Sequence, residues 1–259
     1  MRRAASAAIY LLSSLLGALA FLYPFLDPAH ALQAPILTAA IAGLALLALV
    51  LEAQGRALSA RTIALLGVLV AIVSVLRFVE VAIPGPGGFT PIFAPLILGG
   101  YVFGARFGFL LGAFGLLVSA LITGGVGPWL PYQMFAAGWM GLSAGGLGWL
   151  FGPALGRRRR LELILLCAFG FGWGFLYGAI MNLYSWPFAA GPAEQYWTPG
   201  VGPGETLARY AAFYLATSFW WDVAGAFGNL LLILALAPAL TRAFARFRRR
   251  LRVELESPA

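Results

Sequence analysis

The sequence predicts an all-α integral membrane protein with about eight transmembrane helices, and three observations carry that expectation. Charge is scarce: 17 basic and 9 acidic side chains occur in 259 residues, where a soluble chain of this length would carry about 65. Apolar residues make up 61% of the chain and mean hydropathy is +0.89, so too little polar surface remains to cover a water-facing sphere. The apolar runs are also continuous rather than alternating, which excludes a β-barrel. In lipid every backbone polar group must be satisfied internally, and helices are then what remains.

About 20 apolar residues cross the hydrocarbon core, and runs of that order fall at 5–26, 32–51, 62–83, 91–105, 107–124, 131–155, 161–185 and 208–239. The first follows Arg2 and Arg3 and stops at Asp27 and Pro28. The second runs to the polar stretch from Glu52 to Arg61, and the third to the Pro/Gly turn Pro84 to Gly88. The fourth, short for a span, ends before Arg106. The fifth stops at Gly124 to Pro128, the sixth at Arg157 to Arg160, and the seventh at the long loop Trp186 to Thr206. The eighth is long and leads into a cluster of arginines from Arg242.

The arginines orient these segments. With the N-terminus inside and spans alternating, Arg2, Arg3, Arg56, Arg61, Arg106, Arg157 to Arg160 and the six from Arg242 to Arg252 all fall on the cytoplasmic side. That places 15 of the 17 basic residues inside, leaving Arg77 and Arg209 outside. An excess of arginine in cytoplasmic loops is what sets topology, and other helix counts separate the charges less well. Both termini are therefore expected in the cytoplasm. Arg242, Arg246 and Arg249 follow helical spacing and are expected against anionic headgroups, at about 1 kcal/mol each. The net charge of +8 is thereby explained without nucleic acid.

Several chemistries are disfavoured. One histidine (His30) and one cysteine (Cys167) do not make a transition-metal site or an intrachain disulfide. The absence of a G-x-x-x-x-G-K-[ST] sequence means that any ATPase would be another subunit. Gly141, Ser143 and Gly145 match the G-x-S-x-G pattern of serine hydrolases, but they fall within a Gly/Ala-rich helix with no histidine nearby. Gly170, Gly172 and Gly174 follow no strand and are expected as packing glycines. No catalytic residue and no cofactor is expected. Arg2, Arg3, the following apolar stretch and Ala29, His30, Ala31 also resemble a cleavable signal peptide, although the stretch exceeds the usual apolar core. Cleavage would not reorient the rest.

Ionisable residues inside a span cost about 2.5–3.5 kcal/mol on insertion scales. Arg77 and Glu80 lie on one face near the outer end of the third span, and Asp222 lies beside Trp220 and Trp221 in the outer half of the last. A structural ion pair, Arg77 with Glu80 or with Asp222, accounts for them; so does a set of ligand-recognition groups facing an outward cavity. Both need the same inward orientation. Trp129, Tyr132 and Gln133 begin one span, Asn182, Tyr184 and Trp186 end another, and the loop adds Gln195, Tyr196 and Trp197. Tryptophan and tyrosine at this level form interfacial belts. Clustered with amides on one side only, they also fit a pocket that stacks on a flat ligand. Ala64, Gly67, Ala71 and Ser74 form a small-residue ridge on the third span, suited either to close packing within the bundle or to an approaching partner helix.

The third span with its ridge, the run GGFTPIFAPLILGGYVFGARFGFLLGAFGLLVSALITGG, the following GVGPWLPYQMFAAGWMGLSAGGL and the closing WDVAGAFGNLLLILALAPALTRAFARF resemble the substrate-specific S component of energy-coupling-factor transporters. The resemblance covers roughly 60–250. It implies a six-helix substrate-binding core over 60–241, with two extra N-terminal helices in 1–59 and a basic cytoplasmic tail in 242–259. It further implies a prokaryotic plasma-membrane protein that binds a vitamin or metal ion from outside. Such a protein docks on a transmembrane T component and two ATPase subunits, and is thought to topple to release its cargo. By the same resemblance Ala64, Gly67 and Ala71 would form the docking surface. Loops Val81 to Thr90 and Trp186 to Thr206 would cap the ligand, and Arg77, Glu80, Gln133, Asn182 and Asp222 would line its pocket. Thr90, Trp129, Tyr132, Tyr184, Trp186, Trp197 and Trp221 complete the candidate set. The aromatic outer loop and PWLPYQM look most like cobalamin-type members, so cobalamin or a precursor leads, with thiamine, riboflavin and queuosine-type ligands open. Metal cargo is disfavoured because the N-terminal histidines of metal-binding relatives are missing.

The main alternative is a stand-alone secondary transporter, which would need mid-membrane coupling carboxylates and usually inverted repeats. Asp222 is its one candidate carboxylate, and no matching half is visible. A lipid-modifying membrane enzyme lacks a His, Cys or paired-carboxylate constellation. A purely structural assembly subunit is a further alternative.

Overall fold

A computed structural model describes residues 2–26, 43, 60–155 and 158–256. The expected second span, 32–51, lies outside the described residues apart from Gly43, as do His30 and Arg56. Among the described residues there are helices and no strand. They are α1 (Arg2–Leu26), α2 (Ala60–Ala82), α3 (Phe93–Phe103), α4 (Ala105–Thr123), α5 (Leu130–Leu155), α6 (Arg159–Ser185), α7 (Pro203–Thr217) and α8 (Phe219–Glu256), with a 3-10 turn at Trp186–Phe188. Six of them, α1, α2, α4, α5, α6 and α8, are long and apolar enough to cross a membrane.

The fold is organised around α3. From Phe93 to Val102 every residue of this helix is buried, as expected of a helix that is apolar all round. At eleven residues it spans only about 16 Å, roughly half the hydrocarbon thickness. The sequence expectation of a full span over 91–105 is therefore corrected: the segment is a short rod enclosed by α4, α5 and α8. Its irregular approach through Thr90 and Ile92 is also buried. Non-helical backbone is tolerated at this depth because protein, not lipid, surrounds it.

Gly104 reverses the chain. Its φ of 102° is left-handed-side geometry that glycine adopts without penalty, and its N–H caps α3 on the Gly100 carbonyl. The reversal brings α4 and α5 into the most extensively packed pair among the described helices. A Cβ on Gly108 would run into the Gly141 backbone carbonyl, and one on Gly141 into that of Gly108, so the two backbones touch through paired glycines. Gly145 meets the Ala105 backbone in the same way. Ser143, between them, donates its hydroxyl to the Trp139 and Met140 carbonyls. The G-x-S-x-G residues are thus a helix-packing motif.

Helix α6 packs along α8, with Gly170 facing Ile233 and Gly174 facing the Ala226 backbone, while Gly172 faces open space. The eighth expected segment, 208–239, is not one helix. It breaks at Ser218, whose φ of −126° ends α7, and α8 begins at Phe219. Thr217 and Ser218, whose hydroxyls compete with the backbone for hydrogen bonds, coincide with the break. From there α8 runs without interruption for 38 residues, about 57 Å, far longer than a bilayer core.

Two unlike ends result. Arg106, Arg159, Arg160 and Arg242 to Arg249 gather at one, here the arginine end. The C-terminal ends of α1, α2 and α6, the loops and α7 gather at the other, the aromatic end. Helix α1 follows the same direction: Arg106 lies over the Tyr10 ring at 5.6 Å, and Phe21 meets Tyr132 edge-on at 4.7 Å.

Candidate functional site

Two carboxylates on the apolar helices, Glu80 and Asp222, lie at the aromatic end, each held differently. Arg77 Nη1 donates to Glu80 Oε1 at 2.5 Å. The pair lies within α2, so it joins successive turns of one helix and not two helices. The inter-helix link is instead Thr90, whose hydroxyl donates to Glu80 Oε2 at 2.6 Å, fastening the 83–92 loop to α2. Phe93 then stacks on Tyr177 with ring centroids 4.8 Å apart, and Tyr177 stands within electrostatic reach of Arg77 and Glu80.

Asp222 makes no ion pair among the described residues. It sits in the first turn of α8, where the helix dipole favours a negative charge. Tyr214 and Ser218 donate their hydroxyls to its Oδ2 at 2.8 and 2.9 Å. Gly178 of α6 lies directly against the carboxylate, leaving no room for a Cβ. Nearby, Tyr210 donates to the Ala179 carbonyl, and Asn182 Nδ2 donates to Thr217 Oγ1 at 3.4 Å. The consecutive residues Tyr177 and Gly178 therefore place one turn of α6 between the Glu80 and Asp222 clusters. A backbone bond also joins them, from Gly88 N–H to the Trp221 carbonyl at 3.1 Å.

The aromatic residues form a third group around the end of α6. Tyr132 and Tyr184 stack at 4.5 Å, Trp186 meets Tyr210 at 5.0 Å, and Phe25 of α1 contacts both Trp186 and Trp197. Trp186 is 2% exposed and donates Nε1–H to the Gln195 carbonyl at 2.9 Å, which holds the long loop down. Arg209 ties the same loop by donating to Glu205, the Tyr196 carbonyl and Thr198.

The candidates of the sequence analysis thus divide. Arg77, Glu80, Thr90, Asn182 and Asp222 share one polar layer, and Tyr132, Tyr184, Trp186 and Trp197 share the aromatic layer beside it. Gln133 is half-buried and makes no side-chain hydrogen bond among the described residues. Trp129 stands apart on the 124–129 turn, donating Nε1–H to the Gly125 carbonyl. Trp221 turns its side chain outward, 58% exposed, and contributes its carbonyl instead. Tyr177, Tyr210, Tyr214 and Ser218 were not anticipated. For two of them a signal existed: Tyr214, Ser218 and Asp222 recur at four-residue intervals, the spacing that aligns side chains on one helix face.

On α2, Ala64, Gly67 and Ala71 are exposed on the outside of the bundle, and nothing lies within 4 Å of a Cβ placed on Gly67. Ser74, expected on the same ridge, is turned inward and donates to the Val70 carbonyl. At the opposite end of the molecule a cleft of about 1040 Å³ opens between α3, α5, α6 and α8. It contains none of the candidate residues. No group of His, Cys, Asp and Glu that could hold a metal ion occurs among the described residues.

Six apolar membrane-crossing helices, a buried short helix and a polar layer beneath aromatic loops define a multi-pass membrane protein. The chain belongs to the family of ECF transporter substrate-specific components, whose family model matches residues 61–237. No curated protein and no solved structure matches it. The family identifies a plasma-membrane, substrate-binding subunit of a transporter that works with T and ATPase subunits.

Proposed function

We propose that this protein captures a vitamin or related micronutrient outside the cell for ATP-driven uptake, with its aromatic end facing outward and both termini in the cytoplasm. Family membership is the observation that carries this reading. The orientation is supported by the distribution of arginine between the two ends.

The polar layer supports a ligand site at the aromatic end. Arg77, Glu80, Thr90, Asn182 and Asp222 supply donors and acceptors, Gln133 has an uncommitted amide, and the tyrosine and tryptophan rings supply flat stacking surfaces. Loops 81–90 and 186–206 would cap the ligand. The leading ligand is cobalamin or a precursor, because the aromatic loop and PWLPYQM resemble the cobalamin-type members. The exposed Ala64, Gly67 and Ala71 would seat a helix of the T component. A smooth strip lets backbones approach closely in lipid, and no helix among the described residues covers Gly67.

The decisive experiment is to purify the protein natively in detergent, denature it and identify any released small molecule by mass spectrometry. Stoichiometric cobalamin or another vitamin establishes the capture role and names the cargo. An empty protein that also binds nothing in a vitamin panel refutes it and favours the stand-alone transporter.

A further inference from the structure

The cleft at the arginine end plays no part in the proposed capture of a solute, and its chemistry is distinct. Six arginines line it: Arg159 and Arg160 from the first turn of α6, and Arg242, Arg246, Arg248 and Arg249 from α8. Among the described residues its one acidic lining residue is Glu162. That carboxylate is already engaged, since Tyr101 of α3 donates its hydroxyl to Glu162 Oε1 at 2.9 Å.

The arginines are largely uncommitted. Arg248 donates to the Val102 carbonyl at 2.8 Å and Arg242 to the Pro238 carbonyl at 2.5 Å, each using one of five guanidinium N–H groups. Arg159, Arg160, Arg246 and Arg249 make no hydrogen bond or ion pair among the described residues. Like charges gathered in one cleft repel one another, and an anion that accepts several N–H bonds relieves that repulsion. Guanidinium groups match phosphate in bidentate geometry. The α6 N-terminus adds the favourable end of a 27-residue helix dipole at Arg159.

The rest of the lining distinguishes the source of the phosphate. Val102, Leu163, Leu166, Pro153 and Ala237 form apolar walls, and Trp149, 78% exposed, stands beside them. A soluble phosphate ion gains nothing from those walls, whereas the glycerol backbone and upper acyl chain of a lipid do. Basic pockets between transmembrane helices at a membrane surface are known to take anionic headgroups. We propose that this cleft is a binding site for the phosphate headgroup of an anionic phospholipid, gripped jointly by α6 and α8 with α3 as its floor.

The test uses the full chain in dodecyl maltoside, titrated with phosphatidylglycerol and followed by native mass spectrometry. Discrete retained phosphatidylglycerol adducts are expected, and phosphatidylcholine should be retained far more weakly. Arg159→Gln/Arg160→Gln/Arg246→Gln should weaken phosphatidylglycerol binding roughly a hundredfold, at about fivefold per arginine. Arg61→Gln, at the same end but outside the cleft, should leave it unchanged. The single variants Arg160→Gln and Arg246→Gln, each expected to show the smaller loss, give the answer if the triple variant does not fold. Equal binding by wild type and these variants overturns the site. Inorganic phosphate that binds the cleft and displaces phosphatidylglycerol at millimolar concentration overturns the lipid assignment in favour of free phosphate. Variants that keep wild-type lipid binding but no longer co-purify with the ATPase-bearing partners overturn it in favour of a protein-docking surface.

Discussion

Gly88 donates its backbone N–H to the carbonyl of Trp221 at 3.1 Å, so the loop after α2 is fastened to the first turn of α8 by main-chain atoms. The contact requires glycine, because a Cβ on Gly88 would strike that carbonyl oxygen. Gly88→Val should open the clasp, lowering stability by about 1–3 kcal/mol. It should also weaken ligand retention, since Thr90 and its bond to Glu80 lie on the same loop. Thermal unfolding in detergent with a parallel ligand-binding assay checks both effects. An unchanged midpoint would show that the loop is not held there.

Asp222 depends on hydroxyl donors within α7 and the α7–α8 junction. Tyr214→Phe removes one hydrogen bond to a charged group and should cost about 1.5–3 kcal/mol. Gly178→Ala, which drives a methyl group into the carboxylate, should be more damaging than Gly172→Ala, where the space is open. Comparing the melting points of the three variants tests whether the α6–α8 contact at Asp222 is as tight as the geometry describes.

Arg77 and Glu80 separate the structural role from the binding role. Arg77→Ala leaves Glu80 with Thr90 as its hydrogen-bond donor, so the fold should survive. Ligand affinity should fall if the guanidinium reaches the cargo. Isothermal titration with the vitamin found in the native preparation is the measurement. Unchanged affinity with reduced stability would assign the pair to the fold alone.

Gly67 tests docking. Because open space surrounds it, Gly67→Phe should leave folding and ligand binding intact, with stability within about 0.5 kcal/mol of wild type. It should nevertheless abolish uptake and co-purification with the T component. Normal uptake by this variant would remove α2 from the docking surface. Ala71→Phe provides an independent repeat on the same strip.

Much of this architecture was legible from the one-dimensional pattern, for physical reasons particular to membranes. Low charge and unbroken apolar runs admit one class of solution, and the limits of α2, α4, α5 and α6 lie within two residues of the expected segments. The exceptions are instructive. The 91–105 run is apolar enough for a span, yet it forms a half-length rod, because hydropathy does not distinguish contact with lipid from contact with protein. The break at Ser218 was hidden inside a continuous apolar run. The carboxylate it positions accepts from Tyr214, in the helix before the break, and from Ser218 at the break itself.

Composition and the placement of arginine were therefore enough to establish a helical membrane protein with a basic and an aromatic end, since transfer free energy is summed residue by residue along the chain. The sequence also placed the candidate polar residues at one level, because axial position follows directly from residue number within a span. Rotation about each helix axis and contacts between distant segments are collective outcomes of packing. The folded structure accordingly decided that Arg77 pairs with Glu80 within α2, and that Asp222 rests on Tyr214 and Ser218. It turned Trp221 outward, left Gly67 uncovered by the other described residues, and brought six arginines from α6 and α8 into one cleft.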